Sequence, residues 1–526
     1  MLLAIFRELD EEKASFQIFR QTIKSHGSAS TLGRWFVIEP WVVIAAISLA
    51  FSIPVLMSSY YTVILFVSSL RYPRFLGNLS ASTHSFPLVS VLIASYNEKF
   101  VIGRTLDAVK SLDYPAGKLQ VVVADDSTDD TRGVIDKKVE ELNSSGLVAL
   151  ISRRNNREGF KSGALNHAAP LLRGDYVLLL DADSTVTPAS LSRGLAAFQL
   201  DPRIAFVSFR VGHYNREQNL ITRLFALSQD QGDTITKMGS YALDAPYSFQ
   251  GGFTLISLAV LREVGFWTND SIVDDADLSC KVYSAGWRGI YLSDVKVFGE
   301  DPSNLEVWKK QAARVSQGWT KCARSNWRKI LGSNKLTPWK RIALLLFLLG
   351  PFSALSWIVV TFVSAVGLIL GFSAPTNSLF TSPVYVTIVT LPLVAFFLSG
   401  AYALQVQKIM TAKNLLLLPL ISYTTSCMTT RICIGFLQGI RGRPGFFFRT
   451  PKNGVENSEG SRQYFLDVRH DRIAIAEAVL ALLAIGISVI VLTEGVWVLF
   501  LALAGFGILT LKSMNLSRLR GATNSR

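Results

Sequence analysis

The chain has 526 residues, of which 49% are hydrophobic and 17% charged, with a formal net charge of +14. It is long enough for two or three domains and too apolar for an ordinary soluble enzyme, which puts a membrane protein first among the classes to test. Four cysteines, Cys280, Cys322, Cys427 and Cys433, lack zinc-like spacing and are too sparse for a disulfide framework, so free thiols in a reducing compartment are expected.

Residues 1 to 34 are mixed in charge and lack the basic start and cleavage site of a signal peptide, which suits an amphipathic surface segment. From Trp35 to Leu70 the only charge is Glu39, enough for one tilted spanning helix and tight for two with a turn at Pro54. Arg71 and Arg74 follow, and the positive-inside rule then places the next region in the cytoplasm.

Residues 86 to about 300 alternate strands with helices. Leu88 to Ala94, Leu119 to Ala124, Val148 to Ser152, Tyr176 to Leu180 and Ile204 to Phe209 read as strands. Val101 to Leu112, Thr131 to Leu142 and Lys161 to Leu172 read as helices between them. This alternation predicts a mostly parallel sheet covered on both faces, with ligands bound beyond the carboxyl ends of the strands. Two strands end in acids: one runs into Asp125, Asp126 and Ser127, the other into Asp181, Ala182 and Asp183. Asp181 and Asp183 can meet at a hard divalent cation. Magnesium and manganese take one or two carboxylates plus substrate phosphates, so the pair suits a metal on a diphosphate, with a solvated turn as the bland alternative.

After Pro302 comes a basic helix, then apolar runs at Ile342 to Phe372, Val384 to Leu404, Leu415 to Ile440, Ile473 to Leu492 and Val496 to Leu511. Between Glu306 and Glu456 there is no acidic residue but seventeen Lys or Arg, which suits a cytoplasmic rim facing anionic lipid better than a nucleic-acid surface. The run Leu415 to Ile440 contains Arg431 and has basic residues on both flanks. An unpaired charge at the bilayer centre costs at least about 2.5 kcal/mol, so a re-entrant or interfacial helix is expected there.

Six sets of residues, in order, resemble the membrane-embedded family 2 glycosyltransferases, a group that includes cellulose, hyaluronan and mannan synthases. They are Ser95 to Glu98, Asp125 to Ser127, Lys161 to Asn166, Asp181 with Asp183, Val273 to Ser279, and Gln311 with Arg314. Phe447, Thr450 and Lys452 are similar to the gating loop of cellulose synthases, with Arg449 in place of valine. The resemblance implies an α/β GT-A (Rossmann-like) cytoplasmic domain over 86–300, interfacial basic helices over 301–341, and an α-helical transmembrane region over 342–526. That last region would contain an interfacial helix and a gating-like loop at 441–454, and the whole would be a multi-pass protein of the cell membrane.

In that frame Asp125 and Asp126 would meet the nucleoside base or ribose. Asp181 and Asp183 would hold Mg2+ or Mn2+ on the diphosphate, and Lys161 would add positive charge there. The resemblance makes Asp275 the general base for an inverting displacement. Its place at the start of a helix from Asp275 to Ala285 predicts a lowered pKa, whereas without the resemblance it reads as an ordinary N-terminal helix acid. Gln311, Arg314 and Gly318 share one helical face, so Arg314 can fork a phosphate and Gln311 a sugar hydroxyl, beside a bare backbone patch. Thr450 and Lys452 would close over the nucleotide. The family places Trp after the arginine, but here it is Val315, with Trp319 and Trp308 as substitute platforms or as interfacial anchors. His84, His167, His213 and His470 carry no ligand spacing, and Asp201, Asp244 and Asp294 read as turn acids.

The implied partners are a nucleotide-sugar donor (UDP- or GDP-linked), a polysaccharide or lipid acceptor and membrane lipid, with no nucleic acid and an accessory subunit left open. Rival readings are transfer of one sugar to a lipid, a transporter or scaffold with a degenerate transferase domain, and a nucleotidyltransferase.

Overall fold

The computed structural model describes residues 40–72, 86–269, 271–369, 383–443, 472–493 and 508. The segment 1–34, Thr450, Lys452 and nearly all of Val496 to Leu511 lie outside the described residues.

Eight strands form one sheet: β1 (Val89–Ser95), β2 (Leu119–Asp125), β3 (Val148–Ser152), β4 (Tyr176–Asp181), β5 (Thr185–Val186), β6 (Ile204–His213), β7 (Phe253–Ser257) and β8 (Arg288–Gly299). Their order is β3-β2-β1-β4-β7-β6-β8-β5. β1 to β4 run parallel, β7 lies antiparallel between β4 and β6, β8 is parallel to β6, and the short β5 is reversed at the edge. The five expected strands are all present, within about a turn's length of their expected bounds. β7 and β8 escape the pattern because β7 follows Gly251 and Gly252, and β8 is broken by an irregularity that pairs Phe209 with Leu292 but Arg210 with Lys296. Continuous apolar strands require cover on both faces: Val91, Leu92, Ile93, Val121, Val122 and Val123 are fully buried.

The helices of this domain are α2 (Ile102–Lys110), α3 (Thr131–Ser144), α4 (Phe160–Ala168), α5 (Ser190–Phe198), α6 (Leu220–Asp233), α7 (Leu258–Glu263) and α8 (Asp274–Ser284), with α1 (Pro40–Ser69) preceding them. α4 stops short of the expected Leu172 and closes in a 3-10 turn, Ala169–Leu171, where Pro170 cannot donate to a longer helix. Within α1, Ala46–Ser69 is long and apolar enough to cross a membrane, and Pro54 sits inside it without making a turn. Leu49 is 68% exposed, so its flank has no cover among the described residues.

Downstream lie α9 (Leu305–Gly332), α10 (Pro338–Leu348), α11 (Phe352–Ile369), α12 (Pro383–Val406), α13 (Ala412–Ser426), α14 (Thr429–Ile440) and α15 (Arg472–Thr493). The side chain of Asn304 caps α9 by accepting from Glu306 N at 2.7 Å. The run Ile342 to Phe372 is not one helix, because α10 and α11 bend by 64° around Gly350 and Pro351. Leu415 to Ile440 likewise divides at Cys427 and Met428 into α13 and α14. α14 lies against α9 because it offers glycines there: a Cβ on Gly435 would stand 2.3 Å from Ala313 O, and one on Gly439 2.7 Å from Gln317 O.

Arg431, the charge that made the run Leu415 to Ile440 unsuited to a simple span, is buried and paired. Only 2% exposed, it donates to Glu306 at 2.6 Å and to Glu477 at 2.9 Å, and Lys309 reaches Glu477 at 3.2 Å. These four charges tie α9, α14 and α15 together. Removing one partner of a buried ion pair strands the other, at a cost of roughly 3 to 5 kcal/mol. Arg431→Met is therefore expected to destabilise the purified protein by about 3 kcal/mol. Glu306→Gln/Arg431→Met should cost less than the sum of the single changes, as read from chemical unfolding of all three variants.

Candidate active site

A cavity of about 600 Å³ opens beyond the carboxyl ends of β1, β2 and β4 and is closed by the loop 248–253 and by parts of α6, α8 and α9. Strand order places it there, since each parallel strand delivers its terminal residues to the same edge.

At one end is Asp126, 7% exposed, held by a fork from Arg154 at 2.8 and 2.7 Å. Arg157 approaches Asp126 at 3.8 Å and lies 3.3 Å from the centroid of the Tyr96 ring. This end offers a flat stacked surface beside a carboxylate. Arg154 and Arg157 were not singled out by sequence reasoning, although their position just beyond β3 was an available signal. Asp125 differs from its expected place. It is fully buried behind the wall, accepting from Ser127 N at 3.0 Å and Arg153 Nε at 2.8 Å, and its side chain serves the turn rather than the cavity.

Lys161 enters on the first turn of α4, after Gly159 and Phe160, both with positive φ. Gly159 is required, because a Cβ there would stand 2.6 Å from Asn269 O. Lys161 Nζ donates to Asp181 Oδ1 at 2.6 Å and lies 3.5 Å from Asp274 Oδ2. Burial opposes its charge, but Asp181 and Asp274 outweigh that and hold it above the ordinary lysine range. Asp183 is 6% exposed, and its Oδ2 accepts from Glu300 N at 2.9 Å. Both acids line the cavity, although no cluster of three or more metal-ligating side chains occurs among the described residues. A Cβ on Gly252 would stand 2.6 Å from Asp181 Oδ2, so this glycine keeps space open against that oxygen. Two carboxylates and that space fit Mg2+ or Mn2+ taking its remaining ligands from a diphosphate.

Asp275 sits in the first turn of α8, its Oδ1 accepting from Ala276 N at 2.8 Å. The lowered pKa expected from the helix end is not found. Burial, then the adjacent charge of Asp274, push it up to about 7, against the pull of Lys161, Ala276 N and Arg314. Desolvation outweighs a fraction of a helix dipole. The neighbouring Asp274 approaches Lys161 at 3.5 Å.

Gln311 and Arg314 face the cavity from α9, and Gln311 Oε1 is buried without a hydrogen-bond partner among the described residues. Burial holds Arg314 below the usual arginine range, with Asp274, Asp275 and Asp181 opposing. Gly318 is not open to a ligand as expected. Val273 fills the space, and a Cβ there would lie 2.0 Å from Val273 Cγ2, so Gly318 docks α9 onto the start of α8. Trp308 is also misplaced as a platform: 8% exposed, it packs edge-on to Phe225 at 5.1 Å in a separate apolar cluster. Trp319 lines the cavity, with its ring centroid 4.4 Å from that of Phe347.

Sequence reasoning assigned nothing to two further groups. His213 is buried between Asp301, 2.8 Å from Nδ1, and Asp230, 3.5 Å from Nε2. Burial opposes protonation, yet the two acids outweigh it and push its pKa up to about 9. It pins Asp301 at the cavity wall. Asp233 and Lys237 line the cavity together with Gln250. No local spacing signals the His213 set, whose members come from different elements, whereas Asp233 and Lys237 stand four residues apart on one continuous helical stretch, a signal the sequence did carry.

Residues 176–399 match the model described as glycosyl transferase family group 2. The chain is 30% identical over 262 residues to glucomannan 4-beta-mannosyltransferase 2 of Arabidopsis thaliana, covering 49% of each chain. It is 31% identical over 264 residues to glucomannan 4-beta-mannosyltransferase 1 of Oryza sativa subsp. japonica, covering 49% of this chain and 51% of the relative. It thus spans about half the length of the curated relatives it matches. Among solved structures it is similar to a mannosyltransferase from Pyrobaculum calidifontis in complex with GDP-Man and Mn2+, with a TM-score of 0.51 and 20% identity over 76% of this chain and 99% of the other, a likeness of fold. Residues 176–399 are thus similar to a family 2 glycosyltransferase domain, and the fold is similar to that of a solved mannosyltransferase.

The contact between α8 and α9 gives a direct test. Gly318→Ala is expected to cost about 1 to 3 kcal/mol by overpacking. Adding Val273→Ala should recover most of that loss in chemical unfolding.

Proposed function

We propose that the protein is a membrane-bound inverting hexosyltransferase that moves a sugar from a nucleotide sugar to a hydroxyl of a growing polysaccharide. The observation that carries this reading is the single cavity joining the Asp126 end, the Asp181 and Asp183 pair, and Asp275 with Arg314. The nucleoside would lie against Tyr96 and Arg157, with Asp126 accepting from its N-H or O-H groups. The diphosphate would then reach Asp181 and Asp183, where a bound Mg2+ or Mn2+ would offset the charge of the departing group. Lys161 and Arg314 add positive charge on the same side. Asp275, with its pKa near neutrality, would take the acceptor proton as the hydroxyl attacks the anomeric carbon, and the new bond would form opposite the leaving diphosphate. Gln311, with its spare Oε1, would accept from a sugar hydroxyl.

The relatives make GDP-mannose the first donor to try and a β-linked mannan the first acceptor. The membrane part of the proposal rests on the apolar α1, which is long enough to cross and exposed along part of its surface, on the apolar runs beyond 342, and on the basic stretch from Lys309 to Arg443. The catalytic domain would face the cytoplasm beside Arg71. A gate containing Thr450 and Lys452 completes the proposal. Transfer of one sugar to a lipid is the second reading, favoured by Val315, which leaves the cavity without an aromatic ring at that position.

The test uses native membranes, labelled nucleotide sugars and Mg2+ or Mn2+. Label is expected in an aqueous, high-molecular-mass fraction and should be lost on chelation. Label in organic solvent would instead establish the lipid reading. Asp275→Asn is expected to lower transfer by about 100-fold or more while nucleotide binding persists, measured by calorimetry. Because the raised pKa keeps Asp275 protonated at low pH, the native rate should fall about tenfold per unit below pH 7 and level off above it. A flat profile from pH 5 to 8 would remove Asp275 as the base.

A further inference from the structure

The same cavity carries, next to Asp275, a further polar set that the donor reading leaves unused: Asp233, Thr236, Lys237 and Gln250. α6 runs into a π-helical turn, Thr234–Met238, and this wider turn brings both Thr236 and Lys237 to the cavity. Lys237 is 3% exposed, and its Nζ donates to Asp233 Oδ2 at 3.1 Å and to Gln250 Oε1 at 2.8 Å. Gln250 Nε2 turns back toward Asp233 only at 3.4 and 3.5 Å, long for a hydrogen bond. A buried ammonium and carboxylate are costly as a packing device, and apolar side chains would fill this place at lower cost.

Position gives the group its meaning. Gln250, Gly251 and Gly252 are consecutive. A Cβ on Gly252 would meet Asp181, and one on Gly251 would lie 3.3 Å from Asp274 Oδ2 and 3.9 Å from Asp275 Cβ. Read along these three residues, the wall passes from the diphosphate side, through the base, to Gln250 and its partners Lys237 and Asp233. Carboxylate, ammonium, amide and the Thr236 hydroxyl offer donors and acceptors in the mixture that neighbouring sugar hydroxyls require. Phe225 and Gln229 extend the same helical face of α6 along the cavity.

We infer that Asp233, Thr236, Lys237 and Gln250 form an acceptor-side subsite that binds the hydroxyls of the terminal acceptor sugar and presents one of them to Asp275. This rests on the glycosyl-transfer reading above. It assigns acceptor selection to α6 and its π turn.

The test uses the purified full chain with GDP-mannose, Mg2+ or Mn2+ and β-1,4-mannotetraose as the acceptor probe. Two rates are followed: sugar transfer to the oligosaccharide, and GDP release by transfer to water. Lys237→Met is expected to shift the partition toward water by tenfold or more and to raise the acceptor KM. Thr236→Val, which leaves the buried ion pair intact, should shift it about threefold in the same sense. An unchanged partition in both variants overturns the inference, including the case in which both rates fall in parallel. GDP release from the native chain with no incorporation into any sugar acceptor overturns the subsite but not donor chemistry. No nucleotide release from any donor overturns the transferase reading and this subsite with it.

Discussion

One ammonium, Nζ of Lys161, stands between Asp181 at the end of β4 and Asp274 at the start of α8, and the arrangement of the site depends on it. Two strand ends and a helix bring carboxylates to one site, where low dielectric strengthens their mutual repulsion. The fold distributes cations unequally among them. Asp126 receives a fork from Arg154, and Asp125 receives Arg153. Lys161 serves Asp181 and Asp274, while Asp275 is left with the desolvation and its neighbour's charge. That inequality leaves Asp275, pushed up to about 7, as an acid that can exchange a proton near neutrality.

The same logic extends to the attachment of the helical region. α9 carries Gln311 and Arg314 into the cavity, so its placement matters to the chemistry. Its partners approach where side chains are absent: Gly318 against Val273, and Gly435 and Gly439 against the backbone of α9. The charges of Glu306, Lys309, Arg431 and Glu477 then fix the third side of the helix. A helix held by close backbone contacts and a buried ion network has little freedom to slide, which suits a guanidinium that must stay beside two acids.

The apolar strands ending at Asp125 and Asp181 were legible because a strand buried on both faces is a continuous apolar run, and its polar end has one destination. The order of the sites along the chain was legible for the same reason. Whether an acid turns into the cavity or behind it was not. Asp125 and Asp126 are neighbours in sequence and lie on opposite sides of the wall, because successive side chains at a strand end point opposite ways. The bare patch at Gly318 looked available because Val273 is far away in sequence. The partners of Arg431 were not legible because Glu306 and Glu477 lie 125 and 46 residues away.

The amino-acid sequence by itself determined the α/β alternation, the edge of the sheet where acids collect, the apolar character of α1 and the basic bias after Glu306, all properties of local pattern and composition. Tertiary structure decided which cation meets which acid, that burial rather than a helix end governs Asp275, that Ile342 to Phe372 and Leu415 to Ile440 each break into two helices, and that Asp233, Lys237, Gln250 and Asp301 belong to the cavity wall, Asp301 being held there by His213. Those outcomes depend on distances between residues remote in the chain and on the water removed when they meet, and neither quantity is carried by any local stretch of sequence.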